Sequence, residues 1–178
     1  MDRLKVFLLF LLAAILVAGS FGALHDQISY TVSPEYYTRF KFPQFGLLDQ
    51  RVPERIRAAQ VGFLASWWMG IPLGLLIGAM GFIHRPAARM RRALSLSLAL
   101  VLAFTLAFAL AGLGYGYFQT EHVDVAAYDG WYIPQGLERP RTFLCAGYMH
   151  NSAYLGAVLA LPLVLLFNLL YRRGTRAV

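Results

Sequence analysis

Charge is scarce in this chain. Only 14% of its 178 residues are Asp, Glu, Lys or Arg, where a soluble domain averages about 25%. With 58% hydrophobic residues and a positive mean hydropathy, that scarcity excludes an ordinary water-soluble domain. Cysteine is nearly absent as well. The single Cys145 rules out an intrachain disulfide framework and any CxxC redox or zinc motif. No HExxH or HxxxH pattern occurs, and there is no nucleotide loop, kinase element or Ser-His-Asp spacing, so no motif names a reaction. Internal repeats and low-complexity segments are missing too.

What is present is apolar sequence in four blocks, near residues 5–24, 61–83, 93–117 and 153–171. Each is close to the roughly 20 residues that cross a bilayer core as a helix. The expected fold is therefore an all-α membrane protein. It is a single domain, a bundle of four transmembrane helices with two long external loops, 25–60 and 118–152, forming a cap. The first block follows a basic start and ends in small residues, as a signal peptide does. It lacks a clean A-x-A site and is read as an uncleaved helix. Pro53 with Glu54 after it marks a helix start, and Pro72 and Pro162 mark kinks. Gly70, Gly74 and Gly78 form a ladder at four-residue spacing, the kind that lets helices approach closely. Ala99, Ala103, Ala107 and Ala111 repeat that spacing on the next span. The simplest expectation packs the glycine face on the alanine face.

Charge sidedness gives orientation. Nine basic residues, Arg3, Lys5, Arg85, Arg89, Arg91, Arg92, Arg172, Arg173 and Arg176, fall on one side, opposed only by Asp2. The two long loops hold seven basic and eight acidic residues. One side thus carries +8 and the other −1 of the total +7. The positive-inside rule places both termini in the cytoplasm and both loops outside. The basic surplus is a topology signal and gives no support to a nucleic-acid role. Compactness and alanine/arginine-rich usage suit a bacterial inner membrane.

Three histidines fall at one depth of this layout. His25 follows span one, His122 follows span three beside Glu121, and His150 precedes span four. Imidazoles with one or two carboxylates suit a transition metal or a haem, so His25, Glu121, His122 and His150 are the candidate ligands. Asp26, Tyr30, Glu35, Tyr148, Met149 and Asn151 would line the pocket around them. The same residues also suit a hydrogen-bonded structural cluster in the interfacial belt, or a pocket for an organic ligand or lipid headgroup. Ser33-Pro34-Glu35 has the form of a capped helix start. His84, among cytoplasmic arginines, reads as an ordinary interfacial residue, and Asn168 as a poor transport site.

The stretch HDQISYTVSPEYYTRFKF, through His25, Asp26, Gln27, Tyr30, Ser33, Pro34, Glu35 and Tyr36, resembles a motif of uncharacterised bacterial four-span integral membrane proteins. The resemblance covers a minor part of the chain. It implies a bacterial source and implies no activity. The sequence therefore points to a small inner-membrane protein with a polar, metal- or haem-binding pocket at its periplasmic face. Two alternatives stay open. One is a structural or assembly subunit with a membrane-protein partner or a second copy of itself. The other is a lipid- or small-molecule-binding or transport protein, which the lack of ionisable residues at span centres weakens.

Overall fold

The structure is a computed structural model that describes residues 2–122 and 124–173, with the side chain of Arg173 left out. The basic tail from residue 174 on, with Arg176, lies outside the described residues. No strand occurs among the described residues. The long helices are α1 (Arg3–Val32), α4 (Glu54–Ser66) continued by α5 (Gly70–Gly81), α6 (Ala87–Gln119) and α7 (Pro140–Arg173). The short α2 (Pro34–Tyr36) and α3 (Phe42–Phe45) lie between α1 and α4. Four helices are long and apolar enough to cross a membrane, taking α4 and α5 as one.

These helices overrun the expected spans. α1 continues through His25 to Val32, and α7 begins at Pro140, so His150 lies well inside it. The connecting segments shrink to 33–53 and 120–139. The reason is local. Polar residues after Leu24 change the helix's surroundings, but none of them breaks a helix. The first true stop is Ser33-Pro34, where the proline disfavours helical backbone in the residue before it. Ser33 accordingly adopts extended backbone, and its Oγ accepts from the Tyr36 N–H at 3.3 Å. Pro53 does precede a helix start, as expected. The Trp67–Met69 stretch tightens into a 3₁₀ turn. Pro72, just beyond it, has no N–H to return to the carbonyl four residues back.

α1 packs chiefly on α4 and α5, and α6 on α7, giving two antiparallel hairpins. Each is closed along a seam of small residues. A Cβ on Gly22 would lie 2.2 Å from the Gly62 carbonyl oxygen, and one on Gly70 2.5 Å from Ile15 Cα. Gly74 faces Leu11 and Ala14, and Gly78 faces Phe7. The glycine ladder therefore packs on α1, which corrects the expectation of packing on α6. Ala99, Ala103, Ala107 and Ala111 are exposed on the bundle's outside. Membrane helices bury whichever small residues allow close backbone approach, because lipid gives apolar side chains no drive inward. On α6 the buried face is Ala93, Ser97, Val101, Thr105, Ala109, Gly112 and Gly116. It meets α7 where a Cβ on Gly112 would touch Ser152 and one on Gly116 would touch Tyr148 and Cys145.

The hairpins touch each other less than their own helices do. At the end holding the termini, Phe10, Ile77, Leu94, Val101 and Val164 make an apolar plug. Beside it His84, Asn168 and Ser97 are buried together. The Asn168 Oδ1 lies 3.0 Å from His84 Nε2, and its Nδ2 donates to Ser97 Oγ at 2.9 Å and to the Val164 carbonyl at 2.8 Å. His84 is thus a core residue, only 1% exposed, because the turn after α5 folds it inward onto α7. At the other end Tyr36, Tyr37, Phe42, Val61 and Phe143 form a second plug. Between the plugs lies a cleft.

Candidate functional site

The upper end of the cleft is built by α1, α7 and the segment after Ser33. His25, Asp26 and Ser29 lie on one face of α1, one helical turn apart. His150 approaches from α7. The His25 and His150 rings meet edge to face with centroids 4.8 Å apart. Asp26 Oδ1 sits between them, 3.1 Å from His25 Nδ1 and 3.8 Å from His150 Nε2. One ligand atom from each of His25, Asp26 and His150 lies within 4.8 Å of the others. His25 and Asp26 are 5% and 2% exposed.

Two tyrosines roof the cluster. After Pro34 the backbone widens into a π-helical turn, Tyr37–Lys41, a distortion frequent at functional sites. It turns neighbouring rings inward together. Tyr36 stacks on His150, with centroids 5.1 Å apart and planes 19° apart. The Tyr37 hydroxyl lies 2.5 Å from Ser29 Oγ and 3.5 Å from His150 Nε2, and Ser29 Oγ is 3.2 Å from the same nitrogen. Burial first, and the Asp26 charge second, push both phenols far above their ordinary value, so Tyr37 is a neutral hydrogen-bond donor. The Lys41 ammonium lies over the Phe40 ring at 4.4 Å, and burial lowers its pKa against the opposing pull of Asp26. Gly46, at φ 69°, ends α3 in the left-handed conformation that glycine adopts without strain.

The donor set has a definite polarity. With Asp26 ionised, the His25 Nδ1–H donates to it, so His25 Nε2 keeps its lone pair. His150 Nε2 lies within reach of the Ser29 and Tyr37 hydroxyls, which also hydrogen-bond each other. His25 Nε2 and Asp26 Oδ2 are buried with no partner. Such groups cost on the order of 1–3 kcal/mol each when unmatched. In that tautomer, with Asp26 ionised, both orphaned atoms are acceptors, a pair that a cation or a hydrogen-bond donor satisfies. Two ligands of one tetrahedral zinc, each about 2.0–2.1 Å from it, lie about 3.4 Å apart, so the widest pair of the cluster must close by about 1.4 Å from 4.8 Å. A haem held between the two imidazoles is not accommodated, since their rings already touch.

The other expected residues divide. Glu121 and His122 lie on an exposed turn after α6, outside the cluster. The α6–α7 register, with Gly112 on Ser152, Gly116 on Tyr148 and Thr120 on Cys145, carries them about two helical turns past His150, which corrects the expectation of a shared depth. Tyr30 donates to Glu54 Oε2 at 2.5 Å and ties α1 to the start of α4. The Glu35 carboxylate accepts the Glu138 and Arg139 N–H groups at 2.9 and 2.8 Å, which caps the entry to α7. Tyr148 packs with Trp131, Tyr128 and Tyr115 away from the cluster. Met149 is fully buried and Asn151 is exposed. The thiol of Cys145 is buried against Thr120 Oγ1 at 3.4 Å, not against a histidine. Ser29 and Tyr37 are the site residues that sequence reasoning missed. Extending the first helix to Ser33 would have found Ser29, four residues after His25. No protein-family model, curated protein or solved structure matches this chain.

Proposed function

We propose that this is a metal-binding membrane protein whose His25, Asp26 and His150 hold one divalent transition-metal ion. One observation carries this reading: three ligand atoms within 4.8 Å of one another, on residues of which two, His25 and Asp26, are buried and each hold an unpartnered atom. Two imidazoles and a carboxylate suit zinc or iron(II) and leave positions open for a further ligand. Binding of the ion at His150 Nε2 would displace the Ser29 and Tyr37 hydroxyls from that nitrogen and leave them beside the ion. The charge distribution supports a bacterial inner membrane with both termini cytoplasmic. The site then lies at the periplasmic rim, under the Tyr36 and Tyr37 rings.

Elemental analysis tests this on protein purified without chelators from metal-replete cells. Near-stoichiometric metal is expected in the parent. Asp26→Asn and His150→Ala should lose it, and a Glu121→Ala/His122→Ala double variant should keep it. A parent protein free of metal, or a His150→Ala variant that loads normally, sinks the reading. Retained helical circular dichroism in each variant separates loss of ligand from loss of fold.

A further inference from the structure

The cleft below the cluster has no role in holding an ion. It offers about 100 Å³ of cavity volume between the two hairpins. Its walls are Phe10, Phe21, Leu73, Ile77, Leu98 and Val101, among others, with Ser66, Thr105 and Tyr154 the polar residues below His150. On α1 it runs from His25 down to Phe10, about 22 Å at 1.5 Å per residue. This is a long, narrow, apolar slot with hydrogen-bonding atoms at one end. It lies within helices that are long and apolar enough to cross a membrane.

We propose that the cleft binds a long-chain lipid with a hydroxyl head, the chain in the slot and the hydroxyl at His25 and Asp26. The shape sets the chain. A slot about 22 Å long with apolar walls admits extended hydrocarbon, and water gains nothing in a dry apolar space. The chemistry sets the head. His25 Nε2 and Asp26 Oδ2 are buried acceptors without partners, on residues that line the slot's upper end. A hydroxyl supplies the missing hydrogen. If an ion is bound, the same hydroxyl offers it an oxygen, so the lipid does not depend on the metal reading. A phosphate or carboxylate head brings only further acceptors and negative charge beside Asp26. The Trp67–Met69 3₁₀ turn lies along the wall, Met69 lining the slot, and interrupts the helix where the chain passes.

The test uses full-length protein in lipid nanodiscs and a diazirine-bearing long-chain alcohol. Crosslinked peptides are read by mass spectrometry for the parent, for Ala18→Phe and Ala153→Phe, and for Ala99→Phe. Ala18 and Ala153 line the slot, and Ala99 is on the exposed outer stripe. Labelling of slot residues is expected in the parent and in Ala99→Phe. It should fall about tenfold in the two filled variants, the scale of forcing one ring into occupied space. Metal content, measured on the same samples, should stay at the parent level. Equal slot labelling in filled and parent proteins overturns the proposal, and so does labelling confined to the outer faces. A long-chain phosphate that competes as well as the alcohol overturns the head assignment. A His150→Ala sample without metal that still labels in the slot separates failure of the ion reading from failure of this one.

Discussion

The seam between α1 and α4 gives the sharpest test of how the bundle positions its site. Gly22 and Gly62 meet backbone to backbone. A Cβ on Gly22 falls 2.2 Å from the Gly62 oxygen and 2.3 Å from Ser66 Oγ, and one on Gly62 falls 2.1 Å from the Gly22 oxygen. Ordinary contact begins near 3.4 Å, so alanine at either position must part the helices by about 1 Å. The obstruction is backbone, which no rotamer change removes. Overpacking of this kind costs about 1–3 kcal/mol. His25 and Asp26 are three and four residues beyond Gly22 and move with α1, while His150 stays on α7. A bond of about 2.0–2.1 Å does not survive a shift that large. Gly22→Ala should therefore lower metal affinity about 10–100-fold, comparable to losing an outer support of a metal ligand. Chelator-competition titration in detergent measures the affinity, and thermal unfolding measures stability. Gly114→Ala is the control. Its Cβ meets nothing within 4 Å, and it should bind as the parent does. If Gly22→Ala binds metal as tightly as Gly114→Ala, the seam does not set the site's geometry and the reasoning fails.

Three further outcomes are expected. Asn168→Leu should destabilise by about 1–3 kcal/mol by stranding the buried His84 imidazole, whose Nδ1 is already unpartnered. An added His84→Leu should recover part of that loss, since removing both partners is milder than removing one, as thermal unfolding of the pair will show. Glu35→Ala should cost about 1–2 kcal/mol at the entry to α7 while metal content holds. Hydrogen exchange at Glu138 and Arg139 is the readout, and unchanged protection there would refute the cap. For sidedness, a membrane-impermeant maleimide should label Asp129→Cys in intact cells and leave Arg85→Cys unlabelled. Both positions are exposed, and Cys145, fully buried, adds no background.

Much of the architecture was legible because length and apolar content limit what a membrane helix can be. The four long helices, the Pro53 start and the Ser33 cap could all be read that way. The ends of α1 and α7 could not. A switch from apolar to polar residues at His25 marks a change of surroundings, whereas a helix ends where the backbone is blocked, here at Ser33-Pro34. Two of the three outer histidines converge for a related reason. Depth along the bundle depends on where each helix ends and how it registers with its neighbour, and direction on which helices are neighbours. His122 lacks both, because α6 runs on to Gln119, past the level of His150. The glycine ladder shows the same ambiguity. Span two follows span one and precedes span three, and short-range sequence treats both as equal partners. Gly22, Gly62 and Ser66 on the facing surfaces decided for α1.

The position of the site follows from how small residues are spent. Each hairpin closes on seam glycines, Gly22, Gly62, Gly70, Gly74 and Gly78 in one and Gly112, Gly116 and Gly156 in the other. The faces left to join the hairpins then carry larger groups, among them Phe10, Phe21, Leu73 and Leu98. Such faces meet at their ends and stand apart between. Apolar side chains gain little by closing that gap, because hydrocarbon from the bilayer fills it equally well. Polar groups behave differently. Where the hairpins approach at the His25 level, acceptors from α1 and α7 are held dry against one another, and only a donor or a cation relieves them. A bundle with two tight seams and one loose one thus leaves both a slot for hydrocarbon and, at its mouth, the acceptors that select what enters.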